Sequence, residues 1–347
     1  MDIRNLINNI AFNNYEPSID ELERIISVNG DDMHYLFSVA DKVREEYCSD
    51  EVQIRAIIEF SNYCRCQCKY CGLNCHNTEV KRYRMSPEEI VSTAKEAVDA
   101  GYKTLVLQSG EDMFYTKDMV CNIVKDIKAI DDIAITLSIG ERSCDEFKAF
   151  KEAGADRFLI KHETADEDLY NSLHPHSTFK RRIQCLKDLK SLGFQTGSGF
   201  MIGLPHQTNR IIAKDIMLLK EIGVHMAGIG PFISHPKTDL KDCNNGDAMM
   251  TLKAVATTRI LLKDPMLPVT TSLGVLEEKN KSLAFGSGAN VIMQKVQPIQ
   301  YRKMYEIYPK DTKDEPSVLA KRLELEDFIK SCGRKISKSR GDFGLLK

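Results

Sequence analysis

Long apolar runs are missing from this 347-residue chain. No segment approaches the roughly 18 uncharged apolar residues of a membrane-spanning helix, so no membrane span is predicted. A charge excess is missing too: 48 Lys and Arg against 50 Asp and Glu leave a net charge of −2. No field of one sign is therefore available to attract nucleic acid, and no nucleic-acid partner is predicted. The opening residues MDIRNLINNIAFNNYEP lack the charged-then-apolar layout of a secretory signal and carry acids early, which predicts a reducing, cytoplasmic setting. No Pro/Gly/Ser-rich linker divides the chain. What remains, 42% hydrophobic and 28% charged, is the composition of a globular protein with room for a sizeable core.

Against these absences stand eleven cysteines, five of them (Cys64, Cys66, Cys68, Cys71 and Cys75) within twelve residues. In a reducing compartment clustered thiols are read as metal ligands before disulfides.

Eight short β-rich runs recur along the chain, separated by amphipathic stretches. They are EVQIRAIIEFS (51–61), KTLVLQSGE (103–111), AITLSIGE (134–141), RFLIKHE (157–163), FQTGSGFMIG (194–203), MAGIGPFI (226–233), PVTTSLG (268–274) and ANVIMQKV (289–296). Ser18 to Glu21 and Ser86 to Glu89 read as capping boxes that open helices. Gly101, Gly154, Gly193 and Gly223 each close a helical stretch just before a strand, the αβ loop of a parallel sheet. Eight strand–helix units in about 250 residues predict a complete (β/α)8 TIM-type barrel over residues 51–300. A helical extension (1–50) precedes it, and a C-terminal helical extension with a basic tail (301–347) follows. A doubly wound open sheet is the alternative, because periodicity does not show closure. Polar residues gather at the C-terminal ends of the runs, where barrel enzymes build their sites.

The first run is followed by a long loop, 62–85, which predicts a ligand that orders it. It contains Cys64, Cys68 and Cys71 in C-x3-C-x2-C spacing, with Tyr70 just before the third cysteine. Three thiolates so close can hold three irons of one cubane and leave the fourth open. A zinc knot that recruits Cys66, Cys75 or His76 is the alternative, and Cys66 and Cys75 also read as bystanders.

This motif resembles the radical S-adenosylmethionine (radical SAM) superfamily, whose hallmark is C-x3-C-x-aromatic-C after the first barrel strand. The resemblance implies that Cys64, Cys68 and Cys71 hold one [4Fe-4S] cluster whose free iron binds the amino and carboxylate groups of S-adenosylmethionine. Ser109-Gly110-Glu111 resembles the superfamily's Gly-Gly-Glu element, with Ser in place of the first Gly. Longer strings, among them IRAIIEFSNYCRCQCKYCGL, KEAGADRFLIKHETA, GIGPFISHP and GANVIMQKVQPIQYR, resemble the HydE-type maturases of [FeFe]-hydrogenase from about residue 1 to 310. Biotin synthase and methylornithine synthase are related in architecture and supply the alternative of a small organic substrate.

The resemblance implies that Tyr70, Thr136, Ser138, Lys161, Glu163, Arg182 and Met201 line the S-adenosylmethionine site, Lys161 standing where the family tends to have Arg. If the runs close into a barrel, Arg55, Gln108, Arg157, Thr270, Thr271 and Tyr301 point into the cavity and suit an anionic substrate. The implied reaction is attack of a 5′-deoxyadenosyl radical on a cysteine sulfur of an Fe(CO)2(CN) precursor delivered by a companion maturase. Reduced flavodoxin or ferredoxin is the implied electron donor, and a scaffold maturase a further partner. His162 reads as a proton carrier or as a satisfied structural histidine. Only Cys332 lies between Tyr308 and Lys347, so no auxiliary cluster is predicted, and the basic end reads as a solvated tail.

Overall fold

The computed structural model describes residues 1–277, 279–309 and 317–344. Three helices come first: α1 (Ile3–Phe12), α2 (Ile19–Ile26) and α3 (Gly30–Cys48). Both halves of the Ser18/Glu21 capping box form at the start of α2. The three helices bury Leu6, Ile10, Leu22, Ile26, Leu36 and Val43 against one another and against the flank of the barrel.

The barrel follows as β1 (Glu51–Ser61), α4 (Pro87–Asp99), β2 (Thr104–Ser109), α5 (Lys117–Lys128), β3 (Ala134–Ser138), α6 (Cys144–Glu152) and β4 (Arg157–Leu159). The chain continues through α7 (Glu167–Leu173), α8 (Phe179–Ser191), β5 (Gln195–Ile202), α9 (Asn209–Ile222), β6 (Met226–Pro231) and α10 (Ala248–Leu262). It closes with β7 (Pro268–Val269), α11 (Thr271–Leu276), α12 (Asn280–Phe285), β8 (Val291–Lys295) and α13 (Ile299–Met304). All the ladders are parallel, in the order β6-β5-β4-β3-β2-β1-β8-β7. Between β6 and β7 the seam is a single parallel bridge, Met226 to Met266, so this is a (β/α)8 barrel with one thin closure. Gly101, Gly154, Gly193 and Gly223 all take positive φ, as their places at helix ends require. The helices cover the outer faces of the strands, and β1 is buried at every position after Glu51.

Residues of one parity along the strands point into the barrel. Near its base this inner layer is polar: the Arg157 guanidinium donates to Thr104 Oγ1 at 3.3 Å and to Gln195 Oε1 at 3.1 Å. The C-terminal segment completes that layer from below. After α14 (Val318–Ser331), a short strand β9 (Lys335–Ile336) pairs with Glu51 and Val52 of β1. Beyond it Gln53 donates to Ser337 Oγ at 2.6 Å, and Asp342 accepts from Arg157 at 2.7 Å. Phe343 packs edge-on against His225, 4.5 Å between ring centroids. The solvated-tail expectation is therefore corrected: residues 335–344 form a belt across the barrel floor, because an inward polar layer must find partners somewhere. The last three residues lie outside the described residues.

Candidate active site

The loop between β1 and α4 is ordered by side chains that satisfy its carbonyls. Asn62 donates to Lys81 O at 2.9 Å and Met304 O at 2.8 Å, while Arg82 donates to Leu73 O at 2.9 Å and Asn74 O at 2.8 Å. Two glycines let it pack. A Cβ on Gly72 would fall 2.4 Å from Glu306 O, and one on Gly110 would fall 2.2 Å from Tyr63 O and 2.8 Å from Cys64 Cβ. The end of β2 thereby presses on the cysteine loop, and the Glu111 N–H donates to Cys64 Sγ at 3.3 Å.

Cys64, Cys68 and Cys71 are half-buried, Cys66 is buried and Cys75 is exposed. Among the described residues no three His, Cys, Asp or Glu side chains already meet in a metal-holding group. The donor set nonetheless fits an iron-sulfur cluster. Its three sulfurs stand on one loop at the C-terminal face of the barrel, and one of them already receives a peptide N–H of the kind that tunes cluster sulfurs. Burial, with a smaller contribution from Cys64, pushes the Cys71 thiol up to about 12.

The barrel interior above the polar base is a cavity of about 270 Å³. At its mouth stand Tyr70 of the loop, Met201 of β5, and Lys161 and Glu163 after β4, the last two paired at 3.0 Å. Glu163 adopts φ +62, held there by its N–H to Gly199 O and by Met201 N–H to its own carbonyl, both 3.0 Å. A non-glycine residue in that region is strained, and the two β5 partners fix where its carboxylate points. The Tyr70 hydroxyl is 2.8 Å from His174 Nε2. Deeper, Thr136 Oγ1 is buried without a partner and Gln108 donates to Tyr305 OH at 3.2 Å. On the opposite wall Lys295 and Glu59 pair at 2.7 Å.

At the floor lies Arg55, bounded by Met226, Met266 and Val291. Among the described residues its Nη1 meets only Met226 Sδ, at 3.0 Å, and its Nε and Nη2 have no partner. Burial, with a smaller contribution from Arg157, pushes this guanidinium well below its ordinary value. A buried cation with two idle donors is an arrangement that an anion would complete.

The structure thus brings Tyr70, Thr136, Lys161, Glu163 and Met201 together with Arg55, Gln108, Thr270 and Thr271 on one cavity. Other expected residues stand elsewhere. Arg157 does point inward, but from the bottom layer below the cavity, where Asp342 neutralises it. Tyr301 lies on the outer side of α13, stacked on Tyr83 at 4.7 Å and donating to Glu89 of α4. Its place on the cavity is taken by Tyr305, one helical turn on. Arg182, expected among the residues of the S-adenosylmethionine site, is buried: Nε donates to Glu141 at 2.8 Å and Nη1 to the Lys161 carbonyl. It braces the Lys161–Glu163 segment instead of reaching the cavity. Glu111 likewise faces protein, accepting from Arg65 at 2.6 Å and from the Glu141 N–H at 2.9 Å. Ser109 Oγ bonds the Gly110 carbonyl, and Ser138 ends β3 half-buried. His162 is fully buried between Ser198 (3.0 Å) and Asp215 (3.4 Å), and burial pushes it down to about 3; it is a structural histidine.

Besides Tyr305, four contributors are not among the expected site residues: Glu59, Lys295, Glu141 and His174. The first two were legible, since Glu59 shares the inward parity of Arg55 and Lys295 that of Met293. Glu141 and His174 sit in loops, where no period marks them.

The family model of the Radical SAM superfamily matches residues 58–254. The chain is 49% identical over 297 residues to the [FeFe] hydrogenase maturase subunit HydE of Thermotoga maritima, covering 84% of this chain and 85% of that one. In fold it is similar to methylornithine synthase (PylB; TM-score 0.83, 23% identity, 99% of this chain and 100% of that one). It is similar also to the [FeFe]-hydrogenase maturase HydG (TM-score 0.82, 18% identity, 97% of this chain and 76% of that one). These two likenesses speak for the fold alone. No helix among the described residues is long and apolar enough to cross a membrane. The chain belongs to the radical SAM superfamily and, within it, to the HydE-type maturases of [FeFe]-hydrogenase.

Proposed function

We propose that this enzyme directs a radical at a cysteine sulfur bound to an Fe(CO)2(CN) precursor supplied by a companion maturase. The observation that carries the reading is a single cavity with Tyr70, Lys161, Glu163 and Met201 at its mouth and the unpartnered guanidinium of Arg55 at its floor. The [4Fe-4S] cluster that the superfamily implies would sit on Cys64, Cys68 and Cys71 and, with S-adenosylmethionine, supply the 5′-deoxyadenosyl radical. Everything else falls to this chain's side chains. Lys161 offers a cation for the cofactor's carboxylate, and Glu163 accepts from its ammonium or ribose hydroxyls. Met201 and Tyr70 cover the apolar side and exclude water. Arg55, with Thr136, Gln108, Thr270 and Thr271 above it, holds an anionic, cyanide- or carboxylate-bearing substrate below the radical. One cluster suffices for this scheme, Cys332 being the single cysteine after Tyr308. Reduced flavodoxin or ferredoxin supplies the electron, and a scaffold maturase receives the product.

Anaerobic reconstitution tests this reading. Reduced protein with S-adenosylmethionine is expected to release 5′-deoxyadenosine and to change the paramagnetic spectrum of its cluster. It is also expected to restore diiron-site assembly in an extract lacking this maturase. Turnover of dethiobiotin or lysine, with no restoration, would replace the reading by a small-molecule synthase. Cluster iron is expected to vanish in Cys64→Ala, Cys68→Ala and Cys71→Ala but to persist in Cys66→Ala and Cys75→Ala.

A further inference from the structure

His176 has no part in the cavity, yet it touches the cysteine loop twice. It lies in the turn between α7 and α8, and its ring reaches across to the segment that carries Cys68. On one side the backbone N–H of Gln67 donates to His176 Nδ1 at 3.0 Å. A ring nitrogen that accepts a hydrogen bond carries no proton, so the neutral imidazole bears its proton on Nε2. That Nε2 is the atom facing Cys68 Sγ, 3.9 Å away. Two contacts thus fix both the orientation of the ring and the direction in which it donates.

We propose that His176 is a positioning residue that donates from Nε2 to the Cys68 sulfur and thereby raises the reduction potential of the cluster. The inference rests on the reading of Cys68 as an iron ligand. Its physics is simple. One electron, delivered by a low-potential donor, adds negative charge to the cluster and its thiolate sulfurs. An N–H directed at a sulfur stabilises the reduced form more than the oxidised one. Such outer partners orient ligands and tune the metal even though they never touch it. Cys64, on the same loop, receives the Glu111 N–H from the end of β2 in the same way, but that peptide donor survives ordinary side-chain substitution, whereas the His176 donor does not.

The alternative is that His176 only anchors the loop through Gln67, and two variants separate the roles. In His176→Asn the side-chain amide sits where Nδ1 was, so it still accepts from Gln67 but stops short of Cys68. In His176→Gln the amide nitrogen sits where Nε2 was and still reaches the sulfur. Both proteins and the wild type are reconstituted with iron and sulfide and reduced stepwise with dithionite under paramagnetic resonance. With equal iron content, the midpoint of His176→Asn is expected to move to more negative potential, leaving a smaller reduced fraction at any fixed setting. His176→Gln is expected to stay near wild type. An unmoved midpoint in His176→Asn, or loss of iron from either variant, overturns the proposal in favour of an anchoring role. Full cluster iron in Cys68→Ala would instead overturn the ligand assignment on which it rests.

Discussion

Arg55 and Arg157 are two inward arginines on neighbouring layers of one barrel, and their surroundings give opposite expectations. Arg157 is matched by Asp342 at 2.7 Å, whereas Arg55 has, among the described residues, sulfur on one nitrogen and nothing on the other two. Arg157→Met would leave Asp342 with the half-exposed Arg340, 3.1 Å away, as its remaining cation and strip Thr104 and Gln195 of a donor, so a loss of about 3 kcal/mol is expected. Arg55→Met removes an uncompensated buried charge and is expected to gain about 1–3 kcal/mol while abolishing turnover of the iron substrate. Thermal melts of both variants check the two signs. Cleavage of S-adenosylmethionine without substrate should survive in Arg55→Met. The titration of His162 adds a pH expectation. Burial holds its folded value at about 3, against about 6.5 unfolded, so the unfolded chain binds more protons between those limits. The stability that this group contributes is complete above about pH 6.5 and is lost as pH falls toward 3. Urea midpoints should therefore decline from pH 7 to pH 5, and less steeply in His162→Gln. Both arginines were legible in the sequence from strand parity alone, yet parity says which residues face inward and not at what height.

Most strands and their connecting glycines were legible because each carries its own signal, but the run at 268–274 keeps only Pro268–Val269 as strand before α11 begins. The run at 51–61 coincides with β1, and both serine capping boxes form as their spacing requires. Less visible was how one element constrains another. Gly199 takes φ +156 and its absent Cβ would lie 2.1 Å from Gly228 O on the adjacent strand. Gly199→Ala is therefore expected to force β5 and β6 apart beneath Glu163 and to lower stability by more than about 3 kcal/mol, read by denaturant unfolding. Gly110→Ala acts more locally, pushing the Tyr63–Cys64 backbone away from the end of β2. Here cluster iron is expected to fall while the melting temperature changes little, an outcome that iron analysis beside calorimetry distinguishes from global unfolding. Gly199 does not announce itself in a string of residues, and the motif that marks Gly110 does not show its crowding, since what crowds each belongs to another strand or loop.

Over the whole molecule, the belt of residues 335–344 ties the end of the chain to β1 and to the base of the barrel. Removing everything after Ser331 is expected to expose the Gln53, Arg157 and Gln195 layer and to destabilise the barrel cooperatively, seen as a lower midpoint in urea. Cofactor binding should act in the other direction. S-adenosylmethionine at 100 times its Kd adds about 2.7 kcal/mol to a protein that binds it only when folded, and the rise in melting temperature should appear only with the cluster in place. By itself the sequence determined the strand–helix repeat, the cysteine spacing and the polar residues at strand ends, because periodicity, capping and short-range ligand spacing are local properties of a chain. Tertiary structure alone decided that Arg157 belongs to the base, that Tyr305 and not Tyr301 faces the cavity, that Arg182 is held by Glu141 and the Lys161 carbonyl, and that the basic tail is a floor. Each of those depends on which distant residue arrives alongside, and closure of the barrel brings such partners together from opposite ends of the chain.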